Sequence, residues 1–297
     1  MTKMITNATL AAACLVGGAL MSSVASAQTA SFTSSYTGGS GSTTSCSSTY
    51  SIMGKEPTTG RHPVMIWTVG TGQSYTDAMS TAVLDAAVAR GFVVASVQYN
   101  SGTFGSGSTL TNRARCIYNG ASTTSALSKL CARATADCSK GVVVAGLSQG
   151  SIMADLARNF DSRVQAAWGT GNGVKYSIYD LTSVVANGTS RVLSNTRLRV
   201  INGIQDTFVA GSDGTRTQNE RLTGFDCAST ATNCLQSNGA GWYIVQNSQV
   251  QDGQADHCYM TYGGCSGPSG LDQNWVTGTD VWTLNANLNW LQTFVTP

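Results

Sequence analysis

Short apolar runs recur along the chain beyond Cys46, separated by segments whose apolar positions return every three or four residues. The runs are Val64 to Val69, Phe92 to Val97, Gly141 to Ala145, Val164 to Trp168, Leu198 to Ile204 and Trp242 to Val245. Most have no polar alternate, so both faces of each strand must be covered, as in a parallel sheet flanked by helices. Helices fill the gaps. Ala78 to Arg90 is rich in Ala, offers Met79, Val83 and Leu84 for packing, and meets a stop signal at Gly91. Ile152, Met153, Leu156, Ala157 and Phe160 make one apolar face, and Leu284, Leu288, Leu291 and Phe294 make another in a last helix. The alternation predicts an α/β fold with a mostly parallel central sheet and helices on both faces. No internal repeat of solenoid length interrupts it.

The first part of the chain has a different texture. Residues 28–45 are almost entirely Ser, Thr, Gly and Ala, a composition too poor in apolar side chains to bury a core, and they predict a flexible lead-in that could include an edge strand. Residues 1–27 carry Lys3, an apolar stretch from Ala8 to Met21 and the small-residue site Ala25-Ser26-Ala27, the order found in a cleaved secretory signal. The apolar stretch is short for a bilayer and is followed by Ser22-Ser23 rather than by basic residues, which argues against stable membrane insertion. The mature protein is expected to begin at Gln28, with one domain over residues 46–297.

Removal of Lys3 with the signal lowers the formal charge from +2 to +1, too little to hold a phosphate backbone, so nucleic acid is an unsuited partner. Charged residues make up only 11% of the chain, which leaves surface polarity to neutral hydroxyls and amides. Cys14 departs with the signal, and the even set Cys46, Cys116, Cys131, Cys138, Cys227, Cys234, Cys258 and Cys265 implies a disulfide framework in an oxidising compartment. Three pairs repeat one spacing, Cys131 with Cys138, Cys227 with Cys234 and Cys258 with Cys265, and Cys46 with Cys116 would complete the set; other connectivities stay open at this level. A zinc site is disfavoured because the chain has no Cys-x-x-Cys and only 2 histidines.

The chemistry centres on Gly146-Leu147-Ser148-Gln149-Gly150, a Gly-x-Ser-x-Gly set between an apolar strand and a helical pattern. A sharp strand-to-helix turn pushes such a serine out of the sheet, and small flanking residues let the backbones pass. A nucleophilic serine needs a base, and the base needs an orienting acid. His62 precedes a strand and so lies at the wrong sheet end; His257, between the last strand and the last helix, is the expected base. Asp206, where the strand from Arg199 runs into a polar turn, is the expected acid, with Asp180, Asp252 and Asp256 as rivals. The Gln149 N–H and the Thr71 N–H, the latter in the turn Gly70-Thr71-Gly72-Gln73, are the expected oxyanion donors. A Cys258–Cys265 bond would hold His257 in place. Residues 169–195 could cover the cleft.

Elbow, acid and base in the order Ser148, Asp206, His257 on alternating strand and helix units resemble the α/β-hydrolase superfamily. Gly70-Thr71 after a strand, Ala166-Ala167-Trp168 ending another, and the Asp206 turn are similar to secreted cutinase-like and polyester-hydrolysing serine esterases. That resemblance implies a carboxylic ester hydrolase working through an acyl-enzyme, with no metal or organic cofactor, an ester substrate and Trp168 lining the acyl cleft. The chain departs from that group at Leu147 and Gln149, in its eight mature cysteines and in the length between acid and base. A serine peptidase or amidase, or a binding protein that kept the fold without the chemistry, are the alternatives. Oligomeric state is not legible.

Overall fold

A computed structural model describes residues 28–210, 213–265 and 270–297. The expected signal segment, with its cleavage site at Ala27, lies outside the described residues. Nine strands form one sheet in the spatial order Thr29–Gly38, Ser48–Pro57, Val93–Val97, Val64–Thr68, Val142–Leu147, Val164–Thr170, Leu198–Gly203, Gly241–Val245 and Asn233–Leu235. The six from Val93–Val97 to Gly241–Val245 run parallel. Each of the two strands at one edge, and the short one at the other, pairs antiparallel with its inner neighbour.

Every residue of Val64–Thr68, Val93–Val97, Val142–Leu147 and Leu198–Gly203 is buried, which is why these segments read as mainly apolar runs, with Thr68, Ser96, Arg199 and Asn202 as buried polar exceptions. The helices Ala78–Val88 and Leu284–Gln292 pack on each other in one covering layer; Gly107–Tyr118 and Gln149–Leu156 pack on each other in a second. Asp77 starts the first of these helices by accepting from the Ser80 N–H at 2.7 Å, and Gly91, at φ 82°, turns the chain into the strand that follows.

The Ser/Thr-rich stretch is not a loose lead-in over its first half. Thr29–Gly38 pairs along its whole length with Ser48–Pro57, from Thr29 opposite Pro57 to Gly38 opposite Ser48. An edge strand needs a backbone partner more than it needs a core, and here only Tyr36, Gly38 and the adjoining Gly39 are buried. Tyr36 anchors the strand by donating to the Gln98 carbonyl at 2.7 Å.

Four disulfides link Cys46 to Cys116, Cys131 to Cys138, Cys227 to Cys234 and Cys258 to Cys265, with Cα separations of 5.7, 5.6, 5.9 and 5.0 Å. All four separations fall in the range a disulfide spans without backbone movement. The first ties the loop after the edge strand to the helix Gly107–Tyr118. No helix among the described residues is long and apolar enough to cross a membrane.

Candidate active site

The strand Val142–Leu147 and the helix Gln149–Leu156 are joined by a single residue, Ser148, at φ 56° and ψ −125°. A non-glycine residue in that region is strained and persists only where its surroundings hold it. They do so tightly. A Cβ on Gly146 would lie 2.5 Å from the Gly150 carbonyl carbon, and one on Gly150 would lie 2.2 Å from the Thr68 carbonyl oxygen, so neither position admits a side chain. The Ser148 N–H donates to the Thr170 carbonyl at 2.9 Å, and Thr68 Oγ1 donates to the Gly150 carbonyl at 2.8 Å. Serine is thereby presented at the carboxyl end of the sheet, where open α/β sheets gather their ligands.

Asp206 and His257, the expected acid and base, meet because two loops are stitched together. Gly203 ends the strand Leu198–Gly203 so close to the loop of His257 that a Cβ there would stand 2.1 Å from the Ala255 carbonyl, and the Gln205 N–H donates to that same carbonyl at 2.8 Å. Asp206 follows in the turn, fully buried, with Oδ1 accepting from the Val209 N–H at 3.0 Å. Its Oδ2 accepts from His257 Nδ1 at 2.8 Å. A carboxylate only accepts, so Nδ1 donates this bond and the neutral tautomer it selects is the one with the lone pair on Nε2. Ser148 and His257 line one cavity of about 310 Å³. The Ser148 hydroxyl makes no hydrogen bond to the ring among the described residues; such contacts are often long in free enzymes and tighten around a substrate.

In the turn after Val64–Thr68, the Gly70 N–H donates to Gln73 Oε1 at 2.8 Å and the Gly72 N–H to the Ser101 carbonyl at 2.8 Å. Between them the Thr71 N–H has no intramolecular acceptor among the described residues, and neither has the N–H of Gln149 in the first turn of its helix. The side chain of Gln149 is held at both ends, Oε1 by Arg113 Nη1 at 2.8 Å and Nε2 by the Ser101 carbonyl at 3.0 Å. One carbonyl, that of Ser101, thus braces both segments.

Trp168 is elsewhere. The strand does not end at this residue but continues to Thr170, so the indole points off the sheet face instead of over its end. It is fully buried, 5.9 Å from the ring of Trp67, and belongs to the core. The aromatic wall of the cavity comes instead from Phe104, Tyr176, Tyr179 and Phe208. Phe104 stacks at 4.7 Å on Tyr176 and 5.2 Å on Tyr179, and the two tyrosines flank a short hairpin, Lys175–Tyr176 with Tyr179–Asp180, inside the stretch expected to cover the cleft. Two tyrosines three apart amid polar residues were the available signal. Phe208 is 61% exposed and lies 5.1 Å from the His257 ring.

His62 stands away from this site, with Nε2 bonded to the Thr59 carbonyl at 2.7 Å. The rival acids serve turns: Asp180 accepts from the Thr182 N–H, Asp252 from the Gln254 N–H and Asp256 from the Cys258 N–H.

Behind the elbow lies a buried polar chain invisible to hydrophobic patterning. Asp155 Oδ2 accepts from Asn172 Nδ2 at 3.0 Å, Asn202 bonds the backbone of Asn172 in both directions, and Asn202 also donates to Asn219 Oδ1 at 2.7 Å. Asp155 Oδ1 has no hydrogen-bond partner among the described residues. Burial pushes the Asp155 carboxyl up to about 7, against the opposing pull of the Arg191 charge and the Asn172 hydrogen bond.

No protein-family model matches the chain, and no match was found among curated proteins. A solved structure, the PEG-bound complex of a novel cold-adapted esterase from an Arctic intertidal metagenomic library, is similar over 90% of this chain and 95% of its own, at TM-score 0.51 and 11% identity. At that identity the likeness is one of fold.

Proposed function

We propose that the chain is a secreted hydrolase of carboxylic esters, built on the α/β-hydrolase plan and related in kind to cutinase-like serine esterases. The observation that carries this reading is the 2.8 Å bond between Asp206 and His257 at the wall of a cavity that Ser148, on its strained elbow, also lines. In the reaction Ser148 Oγ attacks the ester carbonyl while His257 Nε2 takes its proton. Asp206 holds the ring in the required tautomer and stabilises the imidazolium. The free N–H groups of Thr71 and Gln149 receive the oxyanion, a contribution worth about a hundredfold to a thousandfold in rate per donor. His257 then protonates the leaving alcohol and activates the water that releases the acid. This chemistry calls on neither metal nor organic cofactor.

The aromatic wall of Phe104, Tyr176, Tyr179 and Phe208 suits an apolar acyl or aryl portion, so lipid-like esters and polyesters are the substrates to test first. Four disulfides support passage through an oxidising compartment, and sequencing of the exported protein should read from Gln28.

A fluorophosphonate probe tests the reading. Labelling at Ser148, lost in Ser148→Ala, together with turnover of p-nitrophenyl esters over matched anilides, is the expected result. Folded protein that takes no label would be a binding module, and faster anilide cleavage would make it an amidase. A series of p-nitrophenyl esters of increasing acyl length beside a polyester film would then define the acyl preference.

A further inference from the structure

A second, more open hollow of about 450 Å³ adjoins the cleft and shares its Phe104 and Tyr179 walls. Its other lining is neutral and rich in hydroxyls, including Ser42, Ser106 and Thr109, except for one cation, Arg113. Arg113 is only 3% exposed. Its Nε donates to the Ser40 carbonyl at 3.3 Å, and its Nη1 to the Thr103 carbonyl at 3.1 Å and to Gln149 Oε1 at 2.8 Å. Nη2 makes no hydrogen bond among the described residues, and the residue lines the hollow.

No carboxylate among the described residues pairs with this guanidinium; the other buried arginines, Arg191 and Arg199, likewise rest on neutral oxygens, and Arg113 differs from them in lining this hollow. A cation drawn out of water with only neutral oxygens around it carries a desolvation cost that an arriving anion would offset. The helix Gly107–Tyr118 begins at the same rim, capped by Ser106, and its N-terminal end adds partial positive charge. Two independent features, a buried guanidinium with an open nitrogen and a twelve-residue helix start, therefore face one hollow that holds no acidic side chain.

We propose that this hollow receives a carboxylate borne by the substrate, so that the preferred esters are half-esters of dicarboxylic acids or other esters carrying a free acid several atoms from the scissile bond. The proposal rests on the ester hydrolase reading above for its substrate, while the anion site itself does not. Phe104 and Tyr179, 5.2 Å apart, form the wall over which the linking chain passes from Ser148 to Arg113.

The test uses the full-length mature protein, with labelled adipate in equilibrium dialysis and with monoethyl against diethyl adipate in steady-state hydrolysis. Arg113→Gln removes the cation; because Arg113 also braces Gln149, the exposed Ser42→Asp, which sets a like charge in the hollow, serves as the second variant. Adipate should bind the native protein and lose affinity by about tenfold or more in both variants, and the kcat/KM ratio of monoester to diester should fall about tenfold in Ser42→Asp. Adipate binding untouched by Ser42→Asp, or an unchanged monoester-to-diester ratio, would overturn the proposal. Adipate binding that depends on Arg113, in a protein that cleaves neither ester, would support the anion site and refute the hydrolase reading instead.

Discussion

Gly171 and His257 stand so close that a Cβ on the glycine would lie 2.6 Å from His257 Cε1 and 2.9 Å from Nδ1. The glycine is at φ 55°, in the left-handed region, and its carbonyl accepts from the Tyr176 hydroxyl at 2.8 Å. The loop is thus a backstop for the imidazole. Gly171→Ala should push the ring off its line with Asp206 and lower kcat on a p-nitrophenyl ester by about a hundredfold, as small misplacements of a reacting group do. A near-native circular dichroism spectrum with unchanged kcat would show that the ring has room to yield.

Gly150→Ala acts on the fold rather than on the chemistry. The added methyl would be driven into the Thr68 and Val69 carbonyls at 2.2 and 2.4 Å, backbone atoms that have no flexible end to move aside. The cost should be about 3 kcal/mol or more, at the severe end of single substitutions, read from urea unfolding midpoints. Gly72→Ala, with open space around the site, should cost far less and only through its φ of 73°.

The buried Asp155 makes a pH prediction whose sign is fixed. Its carboxyl titrates near 7 in the folded protein, above its unfolded value of about 3.9, so between these limits the native state binds more protons than the unfolded one. This contribution to stability is therefore fullest near pH 4 and is lost as the pH rises toward 7. Asp155→Asn should flatten that decline, gaining stability relative to the native chain at pH 8 by an amount of the order of a few kcal/mol at most. Parallel slopes of melting temperature against pH for the two proteins would contradict it.

The Cys258–Cys265 bridge adjoins His257, the proposed base, and both cysteines border the cavity. A double Cys258→Ser, Cys265→Ser variant should lose roughly 2 to 3 kcal/mol of stability from a loop this short, and its kcat should fall while the protein is still folded. Reduction of the native protein should lower turnover ahead of the global transition. Equal turnover in the reduced and oxidised folded forms would assign the bridge to stability alone.

The parts of this fold that were legible in the sequence are those where one physical cause dominates. Strands buried on both faces, such as Val142–Leu147, cannot avoid an apolar run, and Ser148 announced itself because the elbow tolerates only glycine two residues to either side. With only 2 histidines, the placement of His257 followed from chain order. The edge strand Thr29–Gly38 was harder to read because its side chains are mostly exposed and the signal lies in backbone pairing. The helix Gly214–Thr223 is silent for the opposite reason: it buries Gln218, Asn219 and Thr223, polar groups that hold neighbouring backbone and side-chain atoms by hydrogen bonds. Gly107–Tyr118 was overlooked although Leu110, Ala114 and Ile117 lie at helical spacing behind the Ser106 cap. Trp168 departs from the cleft position that the resemblance implies, because two further residues of strand pairing keep it on the sheet face.

The cavity wall owes almost nothing to the sheet. Tyr176 and Tyr179 ride on a two-residue-a-side hairpin, Phe104 on the turn before a helix and Phe208 on a four-residue helix, while Ser148, Asp206 and His257 are fixed by backbone joints at the ends of core strands or in the loop stitched to them. On the proposed reading, selectivity and reactivity are therefore written on different stretches of chain. Grafting another hairpin between Gly173 and Leu181 that keeps Tyr176, whose hydroxyl braces Gly171, should exchange what the protein prefers without disturbing how it reacts, and drift in the rest of that hairpin is the cheapest path by which natural variants would diverge in diet.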